Sequence, residues 1–202
     1  MFKQISFTLI GLTLIYFLHR VNYSVFSKVA SIVYFISLPL LLYTLVFGAK
    51  INDGSRWIKL PIIQLTIQTS DFAKLALFMF ISRTLSKKQD VIKDFKKGFL
   101  PIIIPVVIIC ALIAPANLST ALLVGATSFM LMFIGRAHTK HLLISIAVAM
   151  IPVVFLFMLA ISSYDKAAHK SKELPAIFAM GRIPTWVSRI QTFMYSNKRS
   201  EE

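Results

Sequence analysis

The sequence predicts an all-α fold, a polytopic membrane bundle of about six transmembrane helices followed by an amphipathic C-terminal helix. Three observations lead there. The chain has 202 residues, 57% hydrophobic and 15% charged, with mean hydropathy +0.76, more apolar surface than a soluble domain of this length needs. Its apolar residues fall in long runs separated by short polar turns. Its net charge of +14, from 22 Lys and Arg against 8 Asp and Glu, is concentrated in those turns. That distribution suits cytoplasmic loops and anionic lipid headgroups, and it argues against a nucleic-acid-binding face.

Ile5 to Leu18 is the first run, about 20 Å long as a helix. Lys3 precedes it, but His19, Arg20 and Asn22 follow where a signal peptide would carry a small-residue cleavage site, so it reads as a span. Val29 to Gly48 is the second span, with Pro39 tolerable where neighbouring helices satisfy the freed carbonyl. Gly54 to Ile81 follows and is the stretch around which the chain is organised. Arg56-Trp57 suits a membrane–water boundary, and Ile62 to Thr69 is alternating and β-branched. A third, polar-mouthed span runs from about Asp71 to Leu85.

Ser86 to Gly98 is a basic linker in which Asp90 and Asp94 balance the lysines. Phe99 to Pro115 and Leu118 to Ile134 are the fourth and fifth spans. Only Ala116 and Asn117 separate them, which predicts a tight helical hairpin. After the basic turn Arg136 to Lys140, Leu142 to Ile161 is the sixth span. Residues 163 to 182 are polar and basic. From Ile183, Trp186, Val187, Ile190, Phe193 and Met194 recur at helical spacing, with Arg182 and Arg189 beside them. That pattern predicts an amphipathic helix on a membrane surface or a partner. The expected division is therefore a transmembrane bundle, 1–162, and the start of an extracytoplasmic loop, 163–202.

The loops at 19–28, 83–97 and 136–141 hold ten Lys and Arg; the opposite side holds four before the tail and seven within it. Counting short loops only, the positive-inside rule makes the three basic loops cytoplasmic and both termini external. An exported N-terminus without a signal or earlier helix suggests an internal piece of a longer protein.

The sequence contains no P-loop, GxSxG, HExxH or Cys cluster, and its one cysteine, Cys110, excludes an intrachain disulfide. His138 and His141 could share a metal, but without a carboxylate in a basic turn they read as interfacial, and no metal site is assigned. Ala121 and Gly125 form a small-xxx-small pair suited to close helix packing. There remains a polar set within or at the ends of spans: Arg56, Gln68, Asp71, Lys74, Arg83, Asn117, Ser119 and Thr120. All but Arg83 should lie towards the outer half of the bundle. Asp71 and Lys74 share a helix face. Ionic groups at the mouth of an apolar segment are costly unless paired or facing a wet cavity, which makes them site candidates. Two readings stay open: Lys74 and Arg56 meet phosphate, with the others in support, or Lys74 snorkels, Asp71 caps its helix and the set is structural glue.

Gly54-Ser-Arg-Trp-Ile58 followed by Gln68-Thr-Ser-Asp-Phe-Ala-Lys-Leu-Ala-Leu77 resembles the G-[AS]-x-R-W-I … Q-P-S-E-x-A-K-L signature of the FtsW/RodA/SpoVE (SEDS) family. Ala114-Pro-Ala-Asn-Leu-Ser-Thr-Ala121 is similar to its Q-P-D-x-G-T-A hairpin element, and Phe133-Ile-Gly-Arg136 to the end of the following helix. Gly181 to Ile190 resembles the Arg-rich segment opening the family's large extracytoplasmic loop, its Pro-Thr-Trp form leaning towards the FtsW-like branch. Asn117 stands where most members carry Asp, and Ser119 where they carry Gly.

The resemblance implies a ten-helix fold in the bacterial inner membrane. It implies a peptidoglycan glycosyltransferase that polymerises lipid II into glycan strands during division or elongation, with a class B penicillin-binding protein as partner. It matches the six runs to the family's second to seventh helices. The presumed catalytic aspartate is then expected beyond Glu202, no catalytic residue within this stretch, and no activity from the piece alone. No cofactor motif is present; a divalent metal in the full-length enzyme is left open. Membrane lipids are expected partners and nucleic acid is not. A lipid II flippase or other transporter, and a non-catalytic scaffold of the division machinery, are the alternative readings.

Overall fold

The computed structural model describes residues 2–51, 54–60, 65–165, 170–171 and 183–195. They belong to two compact units, Met1–Arg136 and Ala137–Glu202. The first contains α1 (Phe2–Leu18), α2 (Tyr23–Phe47), three short strands β1 (Ala49–Ile51), β2 (Gly54–Leu60) and β3 (Leu65–Gln68), then α3 (Thr69–Lys87), α4 (Leu100–Ile113) and α5 (Leu118–Ile134). The second contains α6 (Thr139–Ser162), the strand pair β4 (Tyr164–Asp165) and β5 (Lys170–Ser171), and α7 (Ile183–Tyr195).

Every apolar run is helical, with boundaries that local chemistry moves. The second helix begins at Tyr23 rather than Val29 because Asn22 caps it, its Oδ1 accepting from the Ser24 amide at 3.0 Å. Lys28, expected in a loop, is thereby helical. The third begins at Thr69 rather than Asp71 and runs on to Lys87. Between α2 and α3 the backbone forms an antiparallel meander in the order β1-β2-β3, with Trp57 opposite both Ala49 and Gln68. Where a chain turns round at a lipid boundary, such a ladder satisfies amide and carbonyl groups that water reaches poorly.

By length and composition, three helical stretches can cross a membrane: Tyr23–Phe47, Phe95–Ile113 and Thr139–Ser162. Gln4–Leu18 and Leu118–Ile134 are shorter apolar helices near the lower limit for spanning. The chain is a multi-pass membrane protein.

The core of the first unit is built on α3, which lies against α2, α4 and α5. Ala73, Ala76, Leu77 and Ile81 on α3 are fully buried, as are Ile102 and Ile109 on α4 and Met132 on α5. The alanines let α2 approach closely, and Tyr34 stacks on Phe80 with ring centroids 4.6 Å apart. Ala121 and Gly125 act as the sequence predicts. The Cys110 thiol reaches the Ala121 carbonyl at 3.5 Å, and a Cβ on Gly125 would lie 3.8 Å from that sulfur.

The basic linker is ordered by its own acidic residue. Asp94 Oδ1 accepts from the amides of Lys96 and Lys97 at 2.8 and 2.9 Å, starting a π-turn, Phe95–Phe99, that leads into α4. Lys88 Nζ donates to the Lys97 carbonyl at 2.8 Å and closes the loop. Asp94 therefore organises backbone rather than merely balancing charge. Gly98 lies so close to the preceding turn that a Cβ there would sit 2.2 Å from the Val91 carbonyl oxygen and 2.6 Å from Ile92 Cα. Gly98→Ala should destabilise the chain by about 1–3 kcal/mol in a detergent unfolding titration. Gly11→Ala, where nothing lies within 4 Å of the added carbon, should leave stability unchanged or slightly raised.

Candidate functional site

Four helix ends meet at one end of the first unit: the C-termini of α2 and α4 and the N-termini of α3 and α5. The Thr44 and Thr69 hydroxyls lie 2.9 Å apart there, buried between α2 and α3. Beside them Gln68 Nε2 donates to Ser70 Oγ at 2.8 Å. Thr44, Thr69 and Ser70 form the polar side of a small cleft whose apolar side includes Ile113 and Ala116.

Asp71 and Lys74 follow Ser70 in the first turns of α3, with Lys74 Nζ 2.6 Å from Asp71 Oδ1. The pair is asymmetric: Lys74 is 28% exposed and Asp71 58%. A carboxylate in the first turn of a helix is favoured by the peptide dipole, whereas an ammonium there is not. Asp71 offsets that penalty and, with it, the partial desolvation of Lys74. Neither Asp71 nor Ser70 is the cap of α3, contrary to the capping reading. Gln68 holds that position, and its side chain makes no capping bond.

Asn117 follows Ala116 directly and is the N-cap of α5. Its Oδ1 accepts from the Thr120 amide at 3.4 Å, and its Nδ2 bonds the Thr120 hydroxyl. Thr120 is half-buried, and Ser119 is exposed on the same turn. Asn117 and Thr120 therefore shape the hairpin bend at the edge of the cleft. Arg56 lies in β2 beside Trp57, whose partner in β3 is Gln68, so the meander carries its backbone to within a few residues of the α3 N-terminus. The expected contacts of the Arg56 side chain fall outside the described part of the structure.

Arg83 belongs to the other end of α3, as expected. Its Nη1 donates to Ser31 Oγ at 2.6 Å and to the Lys28 carbonyl at 3.4 Å, both on α2. In the second unit His138 caps α6, Nδ1 accepting from the Lys140 amide at 3.2 Å, with the His141 ring 5.1 Å away. Among the described residues no three His, Cys, Asp or Glu side chains are grouped to hold a metal.

Sequence reasoning passed over Thr44 and Thr69. The available signal was the spacing of Tyr34, Ser37, Leu41 and Thr44, all buried on one face of α2. Polar groups aligned along one stripe of an apolar helix face a neighbouring helix rather than lipid.

A family model for the cell cycle proteins FtsW, RodA and SpoVE matches residues 1–176. The chain belongs to that family. A probable peptidoglycan glycosyltransferase FtsW of Trichlorobacter lovleyi is 30% identical over 188 residues, which are 92% of this chain and 47% of that protein. The corresponding protein of a Geobacter species is 32% identical over 144 residues, 70% of this chain and 39% of that one. The chain thus spans about half the length, or less, of these curated relatives.

The rod shape determining protein RodA of Thermus thermophilus superposes with a TM-score of 0.58 at 27% identity, covering 69% of this chain and 46% of RodA. A chain of a peptidoglycan synthase complex superposes at 0.63 with 24% identity, covering 75% of this chain and 44% of its own, and shows the shared fold. The helix bundle is therefore the family's fold.

Asp and Asn cap helices about equally well, so the amide of Asn117 holds the bend as a carboxylate would. Asn117→Asp should leave thermal stability within a few tenths of a kcal/mol, whereas Asn117→Ala should cost about 1 kcal/mol. Both are measurable by denaturant titration in detergent.

Proposed function

We propose that the cleft end of the first unit receives the headgroup of an undecaprenyl-diphosphate-linked disaccharide peptide, lipid II, in a peptidoglycan glycosyltransferase of the bacterial inner membrane. The observation that carries this reading is the Asp71–Lys74 ion pair at the mouth of α3, beside the buried hydroxyls of Thr44, Thr69 and Ser70. Family membership and relatives named as probable peptidoglycan glycosyltransferases support it.

Lys74 is held as a point charge by Asp71 and can share itself with a diphosphate oxygen without leaving its partner. A guanidinium at Arg56 would clamp the same diphosphate in a bidentate manner. Neutralising charge as the lipid diphosphate departs is electrostatic transition-state stabilisation, in which donors fixed in advance spend nothing on reorganisation. Gln68, Asn117, Ser119 and Thr120 shape and support the rim. Deprotonation of the acceptor hydroxyl is assigned to no member of this set, because Asp71 is committed to Lys74. The crosslinking partner in this reading is a class B penicillin-binding protein, by analogy with the synthase complex that shares the fold.

The test is glycan-strand synthesis from lipid II by the full-length protein with its partner synthase. Lys74→Ala should lower turnover by about tenfold or more, the scale of losing a charged transition-state contact, with detergent stability little changed. Lys74→Arg should retain part of the activity. Unchanged turnover in Lys74→Ala would remove Lys74 from the substrate site.

A further inference from the structure

The second unit holds an amphipathic helix whose two apolar edges are in different surroundings. On one edge of α7, Val187 and Gln191 are buried, at 2% and 5% exposure. Gln191 Nε2 donates to the Ala160 carbonyl at 2.9 Å. That carbonyl lies in the last turn of α6, where a helix leaves its final carbonyls without internal partners. Ser163 satisfies the neighbouring Leu159 carbonyl through its amide at 3.1 Å. A side chain 31 residues along the chain satisfies the next one and fastens α7 to the end of α6.

On the other edge, Trp186, Ile190 and Phe193 recur at i, i+4 and i+7 and form a second stripe. Trp186 and Ile190 are half-buried and Phe193 is 86% exposed. Arg189, also exposed, borders this stripe on its polar side.

The depth of this second edge follows from α6. The apolar run Leu142 to Ile161 is about 30 Å long as a helix, which matches the hydrocarbon thickness of a bilayer. Ala160 therefore lies where α6 leaves the hydrocarbon, just before Ser162, Ser163 and Tyr164. A helix tied to that carbonyl is held at the headgroup layer. Trp, Phe and Arg on one side of such a helix match the chemistry of that layer, rings towards the acyl chains and guanidinium towards phosphate.

We propose that α7 is an interfacial anchor: Gln191 fixes it to the end of α6, while Trp186, Ile190 and Phe193 enter the lipid headgroup–acyl boundary and Arg189 meets lipid phosphate. The occupant of the open stripe is phospholipid, not a partner protein.

Trp186 reports on this directly, since the chain has two tryptophans and Trp57→Phe leaves it alone. The Trp57→Phe chain, reconstituted without other proteins into phosphatidylethanolamine–phosphatidylglycerol vesicles, should lose about half its emission to lipids brominated near the headgroup. It should lose less to lipids brominated near the terminal methyl, and it should be shielded from aqueous acrylamide. Phe193→Asp in the same chain, with helicity unchanged by circular dichroism, should reduce the lipid quenching about twofold or more. Emission unaffected by any brominated lipid, or fully open to acrylamide, would overturn the proposal and leave the stripe to a protein partner. Equal quenching before and after Phe193→Asp would overturn it as well, because the stripe would then not be what inserts.

Discussion

The first unit depends on one constraint: a helix with charged and hydroxyl-bearing residues runs through its centre, and each polar group there needs a partner that lipid does not offer. At one end of α3 the Thr69 hydroxyl meets Thr44, and at the other the Arg83 guanidinium meets Ser31 and the Lys28 carbonyl. Both partners are on α2. Individual hydrogen bonds between membrane helices are worth only about 1 kcal/mol, so neither tie alone holds the pair together. Their placement at opposite ends fixes the register of α3 against α2, and the buried alanines between them set the distance.

That register has a consequence for the cleft. The two ties together set where the first turns of α3, with Asp71 and Lys74, stand against the end of α2. The hairpin between α4 and α5 supplies the facing wall, and the Asn117 cap keeps its bend short.

The elements visible in the sequence were those set by local chemistry. Apolar runs of spanning length became helices because a backbone in hydrocarbon must bond to itself. The hairpin at Asn117 was legible because only two residues separate two apolar runs, and the Ala121–Gly125 pair because small residues mark close approach. The family likeness likewise rested on short contiguous motifs. Harder to see were pairings between distant positions, such as Thr44 with Thr69 or Gln191 with Ala160. A threonine in an apolar run looks the same whether its hydroxyl bonds back to its own helix or meets another. Asp94 was misjudged for a related reason: a carboxylate among lysines suggests charge balance, and only the turn geometry shows it accepting two backbone amides.

By itself, then, the sequence determined that this is a predominantly α-helical, multi-pass membrane protein that resembles the FtsW/RodA/SpoVE family. The membrane class follows from composition and period, the terms in which a bilayer and a helix impose their rules, whereas the family likeness rests on short motifs alone. Only the tertiary structure decided that α3 is central, that a threonine pair at one end and Arg83 at the other tie it to α2, and that a glutamine ties α7 to the end of α6. Those depend on which faces of separate helices meet, and packing selects that from many arrangements compatible with the same apolar pattern.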